Sequence, residues 1–192
     1  MHKKRLLLLT LKLISTIAVI SVFATTISAC SVSDISNGKY NIISSESGMY
    51  LNVFANPGQA KNGTNISVSK PDGTNEQLFE IESLDNHKYL IWSCSTEDLQ
   101  YCVDVYTPNN KASDVKNDTN VQIWENSKWD DEVNSKHWYF DKLGNGDFVI
   151  RSVLNKTLVL TAENSDHRAN VVVQTYLDGN ALQIWKLQKS KS

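Results

Sequence analysis

The sequence predicts an all-β domain assembled from three copies of one unit. Three observations carry this. Apolar residues recur with a period near two in short runs such as Tyr40-Asn41-Ile42-Ile43, Tyr50-Leu51-Asn52-Val53, Tyr101-Cys102-Val103-Asp104-Val105 and Phe148-Val149-Ile150, the alternation of a half-buried strand. Clusters of Asn, Asp, Gly and Ser separate these runs, as turns require. After the first thirty residues, no run places apolar residues at i, i+3, i+4 and i+7 for long enough to demand a helix.

Aligning the chain with itself shows the copies. Gly38-Lys39-Tyr40-Asn41-Ile42-Ile43-Ser44 recurs as His87-Lys88-Tyr89-Leu90-Ile91-Trp92-Ser93 and as Gly146-Asp147-Phe148-Val149-Ile150-Arg151-Ser152. Thr64-Asn65-Ile66-Ser67-Val68 is echoed by Thr119-Asn120-Val121-Gln122-Ile123 and by Ala169-Asn170-Val171-Val172-Val173. Each copy closes with Gln-x-aromatic or its remnant: Gln77-Leu78-Phe79, Lys136-His137-Trp138 and Gln183-Ile184-Trp185. The starts lie 49 and 59 residues apart, so the middle copy carries extra residues, placed in the polar stretches Lys111 to Asp118 and Asp130 to Ser135. Insertions there sit at the surface and cost little closure entropy. The expected organisation is a leader over 1–29, a tether over 30–36 and one domain over 37–189, with repeats at about 37–86, 87–145 and 146–189.

Composition agrees with one such domain. Of 192 residues, 41% are apolar, 21% charged and 9% aromatic, and only 8 Gly and 3 Pro occur. Disorder, a polytopic membrane protein and a long hinge are thereby excluded. The formal charge of −2 hides an asymmetry: Lys3, Lys4, Arg5 and Lys12 all precede Cys30, and no Asp or Glu does. From Cys30 onward 15 basic residues face 21 acidic ones, a net charge of −6. An acidic domain with scattered lysines offers no basic face for phosphates, so nucleic acid is not an expected partner.

Lys3, Lys4 and Arg5 followed by an apolar run read as a secretory signal. The run ends in Ile27-Ser28-Ala29-Cys30, which resembles the bacterial lipobox, where a branched residue and two small ones precede a cysteine that is lipidated. Ordinary signal cleavage and a retained anchor are the alternatives. Ile27 fits the small-x-small cleavage pattern poorly, and Lys12 near the middle of the run burdens a membrane span. The expectation is an exported protein, anchored by lipid on Cys30 to a bacterial membrane or cell surface, or else secreted. With Cys30 lipidated, Cys94 and Cys102 remain as an even pair in an oxidising setting and are expected to bridge across a hairpin. Free thiols are the alternative. The spacing is not that of a metal site, and His2, His87, His137 and His167 form no ligand-like cluster. No metal or other cofactor is expected.

Three short-strand units ending in Gln-x-Trp or Gln-x-Phe, with Cys102-Val103-Asp104-Val105 and Gln122-Ile123-Trp124 in the middle unit, resemble the ricin B-type lectin family over roughly residues 37–189. The resemblance implies a β-trefoil, in which six strands form a short barrel and six close one end as hairpins. A unit of about fifty residues cannot bury its own apolar face, whereas three units can share one core. Phe79, Trp138 and Trp185 are then expected in that core.

The family's sites combine an Asp that accepts from two sugar hydroxyls with an aromatic ring that covers the sugar's C–H face. The chemistry is sound: charge-assisted bonds contribute about 1.5–3 kcal/mol each, and rings pack on apolar patches. In the middle copy the matching residues are Asp104 as carboxylate, Gln122 as strand polar group and Trp124 as ring. The Asn-Gln that the family places before the closing aromatic is here Ser135-Lys136, with Asn134 or Lys136 as a substitute. Trp129, within Lys128-Trp129-Asp130-Asp131-Glu132, is a further candidate because an indole between charges suits a binding surface better than a core. Asp130, Asp131 and Glu132 lack calcium-loop spacing. In the first copy Asn52 takes the carboxylate position without charge assistance and no stacking ring follows. In the third copy Val159 is assigned there, with Gln174 and Tyr176 as replacements in a register ambiguous by two residues. The alternative for Asp104 and Trp124 is a turn and a packing role. The sequons at Asn62, Asn65, Asn117 and Asn155 are what an Asn-rich chain produces by chance.

An enzyme needs a nucleophile with a base, or paired acids in a cleft; no G-x-S-x-G, H-E-x-x-H or phosphate-cradling Gly loop is present. Paired carboxylates for glycoside hydrolysis stay open, since their separation is spatial. The resemblance implies lectin-like binding of galactose-type glycans or glycoproteins, at the bacterial surface. The alternatives are a delivery subunit of a multi-component toxin, of the cytolethal distending toxin or haemagglutinin kind, with a toxin partner, and a degenerate trefoil that binds only protein.

Overall fold

A computed structural model describes residues 31–32, 35–126 and 134–191. Thirteen strands are present among them: β1 Ser31–Val32, β2 Gly38–Ser44, β3 Tyr50–Val53, β4 Thr64–Ser69, β5 Phe79–Ser83, β6 Tyr89–Ser93, β7 Tyr101–Val105, β8 Thr119–Glu125, β9 His137–Lys142, β10 Phe148–Ser152, β11 Leu158–Ala162, β12 Ala169–Thr175 and β13 Trp185–Lys189. Short 3-10 turns occupy several connections, and no described helix is long and apolar enough to cross a membrane.

Six strands close a barrel. The antiparallel neighbours run β2–β5, β5–β6, β6–β9, β9–β10, β10–β13 and back from β13 to β2, so none of the six is left with an open edge inside the ring. The other six form the hairpins β3–β4, β7–β8 and β11–β12. These join one another through β4–β8, β12–β4 and β12–β8. Strands β2–β5, β6–β9 and β10–β13 are thus three units about one axis, each giving two strands to the barrel and one hairpin to the cap. This is the β-trefoil arrangement.

Two cyclic sets of bonds lock the cap. The turn entering the second strand of each hairpin holds a left-handed residue, Gly63 (φ 79°), Asp118 (φ 65°) or Arg168 (φ 70°). Their N–H groups donate to Ile123 O, Val173 O and Val68 O of the neighbouring unit at 3.0, 3.0 and 2.8 Å. Two residues further on, the repeated asparagines form a ring. Asn65 Nδ2 donates to Asn170 Oδ1 (2.8 Å), Asn170 Nδ2 to Asn120 Oδ1 (3.2 Å) and Asn120 Nδ2 to Asn65 Oδ1 (2.9 Å). Each amide both donates and accepts, so the ring satisfies polar groups that the apolar cap would otherwise strand.

The core follows strand alternation. Ile42, Leu51, Ile66, Phe79, Ile91, Val103, Ile123, Trp138, Ile150, Leu160, Val171 and Trp185 are buried in one cluster. Trp138 and Trp185 also satisfy their indole N–H by donating to Val103 O and Leu160 O, each at 3.0 Å. The closing glutamines have a job of their own. Gln77 Nε2 donates to Lys70 O while its Oε1 accepts from Asp72 N; Gln183 does the same with Thr175 O and Leu177 N. A lysine at 136 has no acceptor to complete such a clamp, and the stretch it would hold is the longer one of the middle unit.

The segment before the barrel is docked to it: Ser31–Val32 pairs with β9, Ile35 is buried, and Ile35 N–H donates to Tyr89 OH at 3.1 Å. The expected Cys94–Cys102 bridge is not formed, and both thiols are free and buried. Register explains the correction. Opposite Cys102 on β6 stands Trp92, not Cys94, and Cys94 begins the following turn, where its N–H donates to Leu78 O. Burial pushes both thiols above their ordinary range. For Cys102 the rise is large, partly opposed by Lys136 and reinforced by Glu82 and Asp104; Cys94 instead feels Lys39 and Glu80. The two sulfurs therefore occupy different surroundings.

Candidate ligand site of the middle unit

On β7, Val103 and Val105 enter the core, so Cys102 and Asp104 face the other way. On β8, Val121 and Ile123 enter the core, leaving Gln122 and Trp124 on the same outer side. Register puts Asp104 opposite Gln122 and Cys102 opposite Trp124. Gln122 Nε2 donates to Asp104 Oδ2 at 3.0 Å, which orients a carboxylate that is only 4% exposed, beside an indole that is 39% exposed. A carboxylate offers about four acceptor positions, so this pair is suited to receiving hydroxyl donors. The wall behind comes from the first unit: a Cβ on Gly63 would lie 3.8 Å from both Gln122 Oε1 and Trp124 Cζ3. Glycine there suits the left-handed φ of that turn.

The remaining candidates are placed differently. Asn134 Oδ1 meets His137 Nδ1 at 3.0 Å, and its carbonyl accepts from His137 N, so Asn134 fastens the turn entering β9. That turn does run beside the site, since Ser135 O accepts from Val105 N. Trp129, with Asp130, Asp131 and Glu132, lies outside the described residues, as does Cys30. Among the described residues no group of three His, Cys, Asp or Glu is placed to hold a metal ion.

The equivalent positions in the other units follow from register. In the first unit Asn52 opposes Ser67 and is buried, with its amide donating to Val53 O (3.0 Å) and Ser67 Oγ (3.4 Å). In the third unit the position opposite Val172 is Thr161, not Val159; Val159 opposes Gln174 and matches Cys102. Thr161 is engaged within the fold. Its Oγ1 donates to Val159 O (2.9 Å) and faces Gln183 Nε2 (3.3 Å). Gln174 donates to Asp118 Oδ1, and the Tyr176 ring carries Arg151.

The sequence reading missed Glu76, 4% exposed, which precedes Gln77 at the position that Ser135 holds in the middle unit. It also missed the neighbouring-unit residues at 63, 118 and 168. The signal for Glu76 was present in the closing motif, Glu76-Gln77-Leu78-Phe79. The four sequon asparagines have structural roles. Asn65 sits in the ring, Asn155 Oδ1 accepts from Thr157 N, and Asn62 and Asn117 accept from Glu125 N and Thr175 N of the next unit.

Comparison with known proteins agrees with this geometry. A family model described as ricin-type beta-trefoil lectin domain-like matches residues 28–124. No curated protein sequence matches the chain. Among solved structures, the designed 3-fold symmetric protein ThreeFoil superposes with a TM-score of 0.67 at 22% identity, covering 80% of this chain and 99% of its own. The Macrolepiota procera ricin B-like lectin, solved with lactose, gives 0.61 at 12% identity, covering 82% and 100%. A mosquitocidal holotoxin gives 0.68 at 17% identity over 82% of this chain, which spans only 18% of the toxin. With a family match over half its length and one closed threefold barrel, the chain belongs to the ricin-type β-trefoil lectin domain-like family.

Proposed function

We propose that the protein is a non-enzymatic carbohydrate-binding module whose principal site is the middle unit, with Asp104 as hydroxyl acceptor, Gln122 as its orienting partner and Trp124 as the stacking surface for a galactose-type sugar. One observation carries the reading: a buried, amide-held carboxylate lies beside a half-exposed indole on one face of the β7–β8 hairpin. The lectin fold and a structural neighbour solved with lactose support it. Asn134 and Trp129 are second-line contacts, and Asn52 serves a weaker position in the first unit. Residues 1–29 act as a lipoprotein leader and Cys30 as the lipid attachment, with 30–36 leading into the domain over 37–189. A single shallow sugar pocket reaches about millimolar affinity, near −4 kcal/mol, and display of many anchored copies compensates through raised effective concentration.

A glycan array tests the reading with the wild-type chain beside Asp104→Ala and Trp124→Ala, each checked for folding by circular dichroism. The expected result is folded variants with binding weakened at least tenfold. Unchanged binding in both rejects the middle-unit site. Unfolded variants reassign the two residues to packing. Mass spectrometry of the native N-terminus tests the anchor, and an unmodified terminus other than Cys30 rejects it. Likeness to the holotoxin favours one second reading, a delivery subunit with a toxin partner; stoichiometric co-purification with that partner, without glycan binding, establishes it instead.

A further inference from the structure

Each hairpin joins the end of one barrel strand to the start of the next, so the opposite mouth of the barrel gathers the starts of β2, β6 and β10 and the ends of β5, β9 and β13. The chain enters the domain at this mouth. Ser31–Val32 pairs antiparallel with the end of β9, Ser31 opposite Lys142 and Val32 opposite Asp141. Ile35 is buried in the main core cluster, and Ser36 O accepts from Tyr40 OH at 2.7 Å. Residue 31 is therefore tied to the barrel itself, and Cys30 precedes it by one peptide link, about 3.8 Å between Cα atoms.

The same mouth carries basic charge. Lys39 lies second in β2, Lys88 just before β6, Lys142 last in β9 and Lys189 last in β13, with Lys191 two residues beyond. All but Lys88 are exposed. The acids nearby are mostly engaged. Asp141 accepts from Arg151 Nε at 2.6 Å, Glu82 from Trp92 Nε1 at 2.7 Å, and Asp147 from Ser45 Oγ and Asn145 Nδ2, both at 3.1 Å. Asp85, in the turn before β6, adds one exposed carboxylate. Among the described residues, cations thus outnumber acids at one end of a domain whose net charge from Cys30 onward is −6.

From the place where the chain enters and from this charge, we infer that the barrel mouth rests on an anionic lipid surface, its lysines meeting the headgroups of the membrane that residues 1–30 address. The inference rests on the proposed N-terminal anchor and deepens it: the domain is seated on the bilayer rather than hung from a free tether. Two arguments select lipid headgroups. An anchor at Cys30 holds the mouth within a residue or two of the bilayer, inside the distance of about 8 Å over which exposed charges act at physiological salt. Each lysine so placed strengthens attachment by a factor of about five. A protein partner would instead call for an apolar patch, and the large exposed hydrophobics among the described residues, Phe54, Tyr106, Trp124 and Leu177, all lie in or beside the hairpins.

The test reconstitutes the full-length chain, as exported, into vesicles of phosphatidylcholine alone or with about one-third phosphatidylglycerol, and maps lysine reactivity by amine labelling and mass spectrometry. Relative to the chain in detergent, Lys39, Lys88, Lys142 and Lys189 are expected to label about threefold more slowly on the anionic vesicles, while Lys61, Lys111 and Lys156 keep their rates. Salt at about 0.5 M is expected to reverse the protection. Lys39→Gln/Lys191→Gln should return Lys88 and Lys142 toward their detergent rates, and Lys39→Arg/Lys191→Arg should keep them protected. Vesicle-bound chain whose mouth lysines label as in detergent, or equally on both lipids, overturns the inference and leaves the anchor standing. Chain that lacks lipid at Cys30 and ignores phosphatidylcholine, yet binds the anionic vesicles through these lysines, supports the lipid-facing mouth and rejects the anchor. Chain that binds neither vesicle overturns both. The wild-type labelling pattern decides without any substitution if a variant fails to fold.

Discussion

The middle and third units repeat one scaffold with different fittings. Asp118 and Arg168 make the same bond to a neighbouring strand, Tyr106 and Glu163 make the same bond back to Asn120 and Asn170, and Trp138 and Trp185 donate to equivalent carbonyls. At the outward pair of the hairpin the likeness ends. The middle unit places Asp104 against Gln122, a carboxylate held by the amide across the hairpin. The third places Thr161 against Val172, and the hydroxyl is already used inside the fold by Val159 O and Gln183. Backbone bonds and core aromatics recur because barrel and cap close only when all three units supply them. The outward pair is under no such demand, so there the units diverge.

If the third unit serves only the shared core, Trp185→Ala should cost as much as Trp138→Ala. Both lose about 3–5 kcal/mol on urea unfolding, because a large cavity opens and a buried carbonyl loses its donor. A third-unit loss below 1 kcal/mol would break the comparison. Thr161→Asp tests the reverse, whether a carboxylate alone makes a site. It is expected to destabilise by about 2–3 kcal/mol, since the position is 1% exposed and faces Val159 O, and to add no glycan-binding stoichiometry by calorimetry. Asn120→Ala breaks the ring that ties the units together and should cost about 1–2 kcal/mol by thermal or urea unfolding, leaving two amides half-satisfied.

A further effect is on pH. Because burial raises the Cys94 and Cys102 thiols in the folded state, their contribution is complete below the unfolded thiol pKa of about 8.5 and is lost as pH rises beyond it, by at most about 1.4 kcal/mol per pH unit for each thiol. Stability measured at pH 8 and pH 10 should fall less in a Cys94→Ala/Cys102→Ala variant than in the wild type. Equal falls would place the thiols in contact with solvent.

The threefold plan was legible because each unit begins and ends with aromatic and β-branched residues at fixed offsets, and because Thr-Asn or Ala-Asn marks each cap strand. The third-unit register was not. Leu158–Ala162 is buried at every position, so no alternation distinguishes its faces, and Val159 took the place that belongs to Thr161. The bridge failed for a related reason: nearness in sequence gave no information on which residue stands opposite Cys102. Asp104 and Gln122 were legible as a motif, although their contact spans a hairpin. The position of Arg168 was not, because its turn meets Val68 of a unit at the opposite end of the chain.

The pairing of β13 with β2 has one more outcome. Lys189 packs on Gly38, and Ser190 N–H donates to Lys39 O, so both ends of the domain leave from the pole of the barrel remote from the hairpins. A cargo protein fused to either terminus, or a surface holding the N-terminal one, would leave the opposite pole, with Asp104, Trp124 and Phe54, turned outward.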